Sequence, residues 1–196
     1  MLAFVRSHTQ SVVRQPPTFS VAIDESMILT ALEVIATRRQ EVRILLHLAG
    51  KIEGPILGYR PTPKQRTLEL LQYMTIMGPM QLTVIEHGVF DRPTLSATWS
   101  PAEAEAKQMS FDQALAAIGQ QSDQYARRLG AWTDADFRKE VDMFGRKSSR
   151  GLLVVTLVLN GHAAYRTQLF LYLKASGREE LSTVNLWAGV DMPPKA

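Results

Sequence analysis

The sequence predicts an all-α protein, an antiparallel four-helix bundle with a long crossover between helices two and three. Four long segments carry apolar residues at helical spacing, and no run alternates convincingly with period two. Capping residues and glycines mark where these segments begin and end. At 196 residues, the chain is long enough for one domain with a sizeable core.

The first helix is predicted to run from Asp24 to about Ala49. Asp24 can cap its start, and Gly50 can stop it. Three polar residues between its apolar positions are assigned to the outer face of the helix: Arg38, Arg39 and Glu41.

The second helix is predicted to begin at Thr62. The stretch "TPKQ" places a cap at Thr62, a proline at the first helical position and Gln65 three residues after the cap, which is a capping box with the favoured proline. The pair Gly78-Pro79 is expected to kink this helix, which resumes to about Glu86.

The crossover is predicted over residues 88–108, which are rich in turn formers, with a short helix after Ser100-Pro101. The third helix opens at "SFDQ", where Ser110 and Gln113 form another capping box, and it runs to about Leu129.

A short helical turn, "DADFRKEV", is predicted after a cap at Thr133, and "DMFGRKSSR" is interpreted as a turn. The fourth helix, from about Ser149 to Ala175, is the most apolar, and Gly177 is placed as its C-terminal stop.

Composition excludes several classes of function. The chain has no cysteine, so a disulfide framework, a thiolate nucleophile and a cysteine-based zinc site are excluded. A net charge of +3 is too small to indicate nucleic-acid binding, and no apolar run has the length of a membrane span. We therefore expect a cytoplasmic protein that binds neither nucleic acid nor membrane.

Residues 1–22 are expected to form a flexible N-terminal arm, and residues 23–196 the bundle domain. The arm's apolar run is too short for a signal peptide. Its lack of acidic residues keeps a transit-like segment open as an alternative.

The four histidines give little support for histidine chemistry. His8 lies in the predicted arm, and His47 and His87 lie at helix ends, where a protonated imidazole suits the helix dipole. His162 differs, because it lies mid-helix in an apolar segment beside Gly161. It can be a structural histidine of the core or a ligand, and the sequence leaves both readings open.

Polar residues form a stripe along the fourth helix. Gly161, Tyr165, Gln168 and Tyr172 recur at helical spacing, with His162 at the border of the stripe. Such a stripe on an apolar helix needs hydrogen-bond partners if it is buried. It is therefore the first candidate for a site.

These segments resemble the DinB-like superfamily over roughly Ile23 to Pro194. "YRTQLFLYLKASG" resembles the family's "HRGQLxxYLRxxG" core, and weaker likenesses are "RPTPKQRTLELLQYM", "WTDADFRKEVDMFG" and "NLWAGVDMPP". The resemblance implies a four-helix bundle and a homodimer. Some members bind a divalent metal through one histidine in helix two and two in helix four, in an H-x-x-x-H-R-x-Q pattern. Members with known activity include thiol-dependent transferases and isomerases.

The expected metal ligands are replaced in this chain. The second-helix position falls at Tyr73, and the two fourth-helix positions fall at Gly161 and Tyr165. His162 is one residue out of register, which turns its side chain by about 100° around the helix. Two tyrosines, a glycine and a displaced histidine make a poor zinc or nickel site.

The sequence therefore predicts a DinB-like protein without the usual catalytic metal or another cofactor, which binds a small ligand or a partner in the former metal cleft. Residues assigned to this cleft are Tyr73, Gly161, His162, Tyr165, Arg166 and Gln168. The alternative is a metal-dependent transferase or hydrolase with a site rebuilt around His162. A third possibility is a helical dimerisation module without a small-molecule site.

Overall fold

The computed structural model describes residues 29–193, and four long helical segments form its bundle. Their bounds are Ala31–Ala49 (α1), Thr67–His87 (α2), Phe111–Gly130 (α4) and residues 150–175. α1 packs mainly against α4, and α2 packs against α4 and the fourth long helix. This arrangement confirms the predicted all-α bundle. Within the described part of the chain, no helix is long and apolar enough to cross a membrane.

α1 begins later than predicted. Its N-cap is Thr30, whose hydroxyl accepts a hydrogen bond from the backbone N–H of Glu33 at 3.2 Å. The Glu33 carboxylate in turn accepts from the Thr30 N–H at 2.8 Å, which completes a capping box. Asp24, the predicted cap, lies outside the described residues, whereas the predicted stop at Gly50 is confirmed.

α2 begins at Thr67, so its predicted start at Thr62 is wrong. Thr62 and Gln65 instead pair across a tight turn, in which the Gln65 N–H donates to the Thr62 carbonyl at 3.2 Å. The Thr67 N–H then donates to the Tyr59 carbonyl at 3.0 Å and closes the loop. A proline after Thr62 suits this turn as well as a first helical turn, so the local pattern does not distinguish the two.

α2 continues through Pro79 to His87. Proline has no N–H to donate to the carbonyl four residues earlier, which is that of Thr75. The side-chain amide of Gln121, on α4, donates to the Thr75 carbonyl at 3.1 Å and to the Met74 carbonyl at 2.7 Å. A contact from another helix therefore satisfies the backbone at the proline.

The crossover is largely helical, contrary to the predicted long connection with only a short helix. Helix α3 spans Arg92–Ala106, and its Asp91 cap accepts from the Thr94 N–H at 2.8 Å. Pro93 lies in the first turn, where proline is tolerated, and Pro101 lies inside the helix.

The predicted caps at Ser110 and Thr133 are both confirmed, at the starts of α4 and of the short helix α5 (Asp134–Arg138). The stretch interpreted as a turn is an antiparallel hairpin of β1 (Glu140–Met143) and β2 (Arg146–Ser149).

The fourth long helix begins close to its predicted start, and the structure shows Ser149 as its N-cap. It comprises α6 (Arg150–Leu153), a π-helical segment (Val154–Leu159) and α7 (Asn160–Ala175). Beyond Gly177, a further short helix that the sequence analysis did not predict, α8 (Thr183–Ala188), packs on α1 and α7.

Candidate functional site

Tyr73 and Tyr165 lie side by side where α2 meets α7. Their ring centroids are 5.2 Å apart, and the indole of Trp99 on α3 lies 6.2 Å from the Tyr73 ring. Both tyrosines are half-buried. The aromatic residues therefore meet at the junction of three helices.

The two tyrosines line a cavity of about 610 Å³. Its walls come from the loop before α2, from one face of α2 and from the end of α3. Its lining consists of Arg60, Pro63, Lys64, Gln65, Glu69, Leu70, Gln72, Tyr73, Ile76, Glu103, Ala106, Lys107 and Tyr165. A pocket of this volume is within the range of small-molecule sites.

Gly161 faces α2 one helical turn before Tyr165. A Cβ atom added at Gly161 would lie 3.2 Å from the sulfur of Met77 and 3.7 Å from Oε1 of Gln81. The three positions that the DinB-like resemblance assigns to metal ligands therefore all lie along the contact between α2 and α7. Gly161 contributes close packing at this contact and has no side-chain donor.

His162 lies apart from the two tyrosines and faces α1. Its side chain is fully buried, and its Nδ1 atom lies 3.8 Å from Oε2 of Glu41. Neither ring nitrogen has a hydrogen-bond partner among the described residues. The structure therefore does not bring His162 into the cavity with Tyr73 and Tyr165.

Burial and the nearby Arg38 guanidinium lower the pKa of His162 to about 4, and the Glu41 carboxylate opposes this shift only in part. The imidazole is consequently neutral near pH 7. This is the core-histidine alternative that the sequence analysis left open.

Arg166 lies beside His162 and joins three elements. Its Nε atom is 3.2 Å from Oε2 of Glu41, and its Nη1 atom donates to the Leu186 carbonyl at 2.6 Å. Its guanidinium also lies 5.4 Å from the Trp187 ring. Arg166 thus ties the C-terminal helix α8 to α1 and α7, and it does not line the cavity.

The predicted outward position of Arg38 and Glu41 is wrong. Arg38 is 0% exposed, with its guanidinium 4.1 Å from the Tyr125 ring centroid and its Nη1 atom donating to the Val158 carbonyl at 3.3 Å. Glu41 is the carboxylate shared by His162 and Arg166. Both side chains point inward because residues three positions apart lie on the same face of a helix.

Gln168 donates a hydrogen bond from its amide to the hydroxyl of Tyr172, as the stripe in the sequence suggested. The Tyr172 ring packs edge-on against Tyr59 at 5.8 Å. This pair extends the polar stripe of α7 beyond Tyr165 and does not line the cavity.

The side chains around Tyr73 do not fit a zinc or nickel ion. Within residues 29–193, no group of three histidine or carboxylate side chains is placed to hold a metal. Burial, and after it the neighbouring Tyr165, raises the pKa of the Tyr73 phenol far above its usual range, so the phenol stays protonated. His162 has two guanidinium groups and one carboxylate around it, which disfavours a cation there as well.

Sequence reasoning missed several residues of these two regions. Trp99 lay in a segment interpreted as a connection, and Tyr125 carried no motif. Gly78 was the available signal for Tyr125, because a glycine inside an apolar helix often marks a close approach. A Cβ at Gly78 would lie 2.0 Å from the Tyr125 hydroxyl.

Comparison with known proteins gives a match to a solved structure. No protein-family model matches the sequence, and no curated protein matches it. Among solved structures, a DinB-like protein of Bacillus subtilis, YjoA, is similar with a TM-score of 0.56 and 19% sequence identity. The match covers 76% of this chain and 94% of that chain. It shows that the chain has the DinB-like bundle fold, in agreement with the resemblance of its sequence.

Proposed function

We propose that this DinB-like bundle has lost the metal site of its fold family and binds a small molecule in the cavity at Tyr73 and Tyr165. The proposal depends on one observation. The rings of Tyr73 and Tyr165, whose centroids are 5.2 Å apart, lie side by side on the wall of a cavity of about 610 Å³. They occupy two of the three positions that the resemblance assigns to metal ligands.

The chemistry of the cavity supports binding through hydrogen bonds and ring contacts. A protonated phenol can both donate and accept a hydrogen bond. The Tyr73 phenol is held in this form by the rise in its pKa. Tyr73 and Tyr165 also offer aromatic surface for a planar or apolar ligand, and Trp99 packs against the Tyr73 ring from outside the cavity lining.

The alternative function, a metal-dependent transferase or hydrolase, has less support. It needs His162 to act as a ligand together with Tyr73 or Tyr165. Instead, His162 is fully buried against α1, next to Glu41. A homodimer and a cytoplasmic location remain predictions, and the solution mass of the purified protein tests the first of them.

A thermal-shift screen of a small-molecule library, followed by calorimetric titration of the hits, tests the proposal. We expect hits that bind one to one and lose at least tenfold in affinity in Tyr73→Ala and Tyr165→Ala. Tyr172→Phe is the control, because Tyr172 lies on the same helix as Tyr165, α7, but does not line the cavity. A screen without hits, or hits that bind all variants equally, would contradict the proposal.

A further inference from the structure

The loop end of the cavity has an excess of positive charge. Arg60 and Lys64 line it, and Arg66 follows at the start of α2. Glu69 is the carboxylate at this end, and it lies 3.4 Å from Nη2 of Arg60 and 3.4 Å from Nε of Arg66. Two arginines therefore share one carboxylate, and Lys64 adds a further positive charge to this end of the lining.

Lys64 is the cation at this end that no carboxylate of the described residues holds. Within residues 29–193, no carboxylate lies at salt-bridge distance from its exposed side chain. Arg60 and Arg66 are each paired with Glu69, and Arg66 does not line the cavity.

The rest of the cavity is close to neutral and largely apolar. Lys107 is paired with Glu103 at 2.8 Å. The amide of Gln72 donates to the backbone carbonyls of Lys107 and Met109, at 3.2 and 2.7 Å. The excess charge is thus confined to one end, and the aromatic rings lie toward α7 at the other.

We propose that the ligand of this cavity is a small amphipathic anion. Its carboxylate, sulfonate or phosphate group lies at the loop end, near Lys64, and its planar apolar body lies against Tyr73 and Tyr165. This inference rests on the proposed function and adds the chemical class of the ligand. An anion bound at the loop end would supply the negative charge that Glu69 alone does not provide there.

Two fluorescent probes separate the anionic group from the apolar body. The first is 8-anilinonaphthalene-1-sulfonate, and the second is N-phenyl-1-naphthylamine, which has the same ring system without the sulfonate. Fluorescence titration of the purified full chain measures the affinity for each. We expect the sulfonate to bind at least fivefold more tightly than the neutral probe.

Lys64→Gln tests the charge. Because a charge at an exposed rim contributes up to about 1 kcal/mol, which is about fivefold in affinity, the sulfonate should lose about fivefold and the neutral probe less than twofold. Lys139→Gln is the matched control, since Lys139 is exposed and lies outside the cavity lining. It should change neither affinity.

The outcomes distinguish this inference from the proposed function. If both probes bind equally well and Lys64→Gln changes neither, the anion preference is wrong while the cavity site stands, provided that Tyr73→Leu weakens both probes. If Tyr73→Leu and Tyr165→Leu leave both affinities unchanged, the probes bind elsewhere and both proposals are overturned. Circular dichroism checks that each variant is folded.

Discussion

Gly78→Ala should destabilise the protein, although alanine is the better helix former. The added Cβ would lie 2.0 Å from the Tyr125 hydroxyl, and Cβ atoms essentially never approach another heavy atom within 3.0 Å. The hydroxyl must therefore move by about 1 Å. Tyr125 is 1% exposed and stacks on the buried Arg38 guanidinium, so it has little room to move.

Two opposing effects determine how much Gly78→Ala lowers the free energy of unfolding. Overpacking of a core costs about 1–3 kcal/mol, and this contact is at the severe end of that range. Replacing a mid-helix glycine with alanine recovers about 1 kcal/mol. We expect a net loss of about 2 kcal/mol in the free energy of unfolding, which corresponds to a fall of roughly 4–8 °C in Tm. Urea titration and a thermal melt, both followed by circular dichroism, measure it.

Tyr125→Phe provides the second arm of the test. It removes the clashing oxygen, and the nearest remaining atom of the ring is 3.3 Å from the Cβ position at Gly78. The lost hydroxyl has no hydrogen-bond partner among the described residues, so this variant alone should lose less than about 1 kcal/mol. The double variant should be more stable than Gly78→Ala. If it is not, or if Gly78→Ala is neutral, the packing described for this site is wrong.

Three further predictions concern the buried cluster and a helix cap. The pKa of His162 is about 4 when folded and about 6.5 when unfolded, so its contribution to stability is complete above pH 6.5 and is lost as the pH falls towards 4. Between pH 7 and 5 the wild type should lose about 2 kcal/mol more than His162→Gln, and equal slopes in urea titrations would refute this. Glu41→Gln removes the carboxylate that pairs with the Arg166 guanidinium, which is 3% exposed. The free energy of unfolding should fall by about 3 kcal/mol, because a buried charge is left without its partner. A loss below about 1 kcal/mol would show that the pair is weak. Ser110→Ala removes the cap of α4 and should cost about 1 kcal/mol by urea titration, whereas an unchanged midpoint would show that the cap is dispensable.

Local patterns allowed much of the fold to be predicted. The predicted caps at Ser110 and Thr133 use hydrogen bonds between residues three positions apart, so the sequence window that carries the pattern also contains the partners. The glycine stops at Gly50 and Gly177 are equally local.

The predicted start of α2 was wrong because a contact outside the capping pattern decides where the helix begins. Thr62 has the pattern of a cap, but the loop closed by Tyr59 and Thr67 sets the start of α2. The environment of Pro79 in α2 also depends on another helix, because Gln121 on α4 donates to the carbonyl that the proline leaves without a donor. This hydrogen bond joins residues 46 positions apart, so no short window of sequence contains both partners.

In the candidate site, too, local spacing predicts some positions, and contacts between helices decide others. The three positions taken from the family pattern, Tyr73, Gly161 and Tyr165, lie along one contact between α2 and α7. The side chain of His162 points instead towards Glu41, a residue that the sequence analysis assigned to the outer face of α1. A charged residue of an amphipathic helix faces inward only when a distant partner compensates it, and sequence does not reveal that partner.

The metal content of the purified protein tests directly whether the bundle has lost the metal site. Protein purified without chelator and without an affinity tag should be analysed for zinc, nickel, iron, manganese and cobalt by elemental mass spectrometry. We expect far less than one equivalent of each, both before and after incubation with the metal and removal of the excess. One equivalent of any of them, retained by the wild type and lost in Tyr73→Phe or Tyr165→Phe, would contradict it, because the cleft would then be a metal site with phenol ligands.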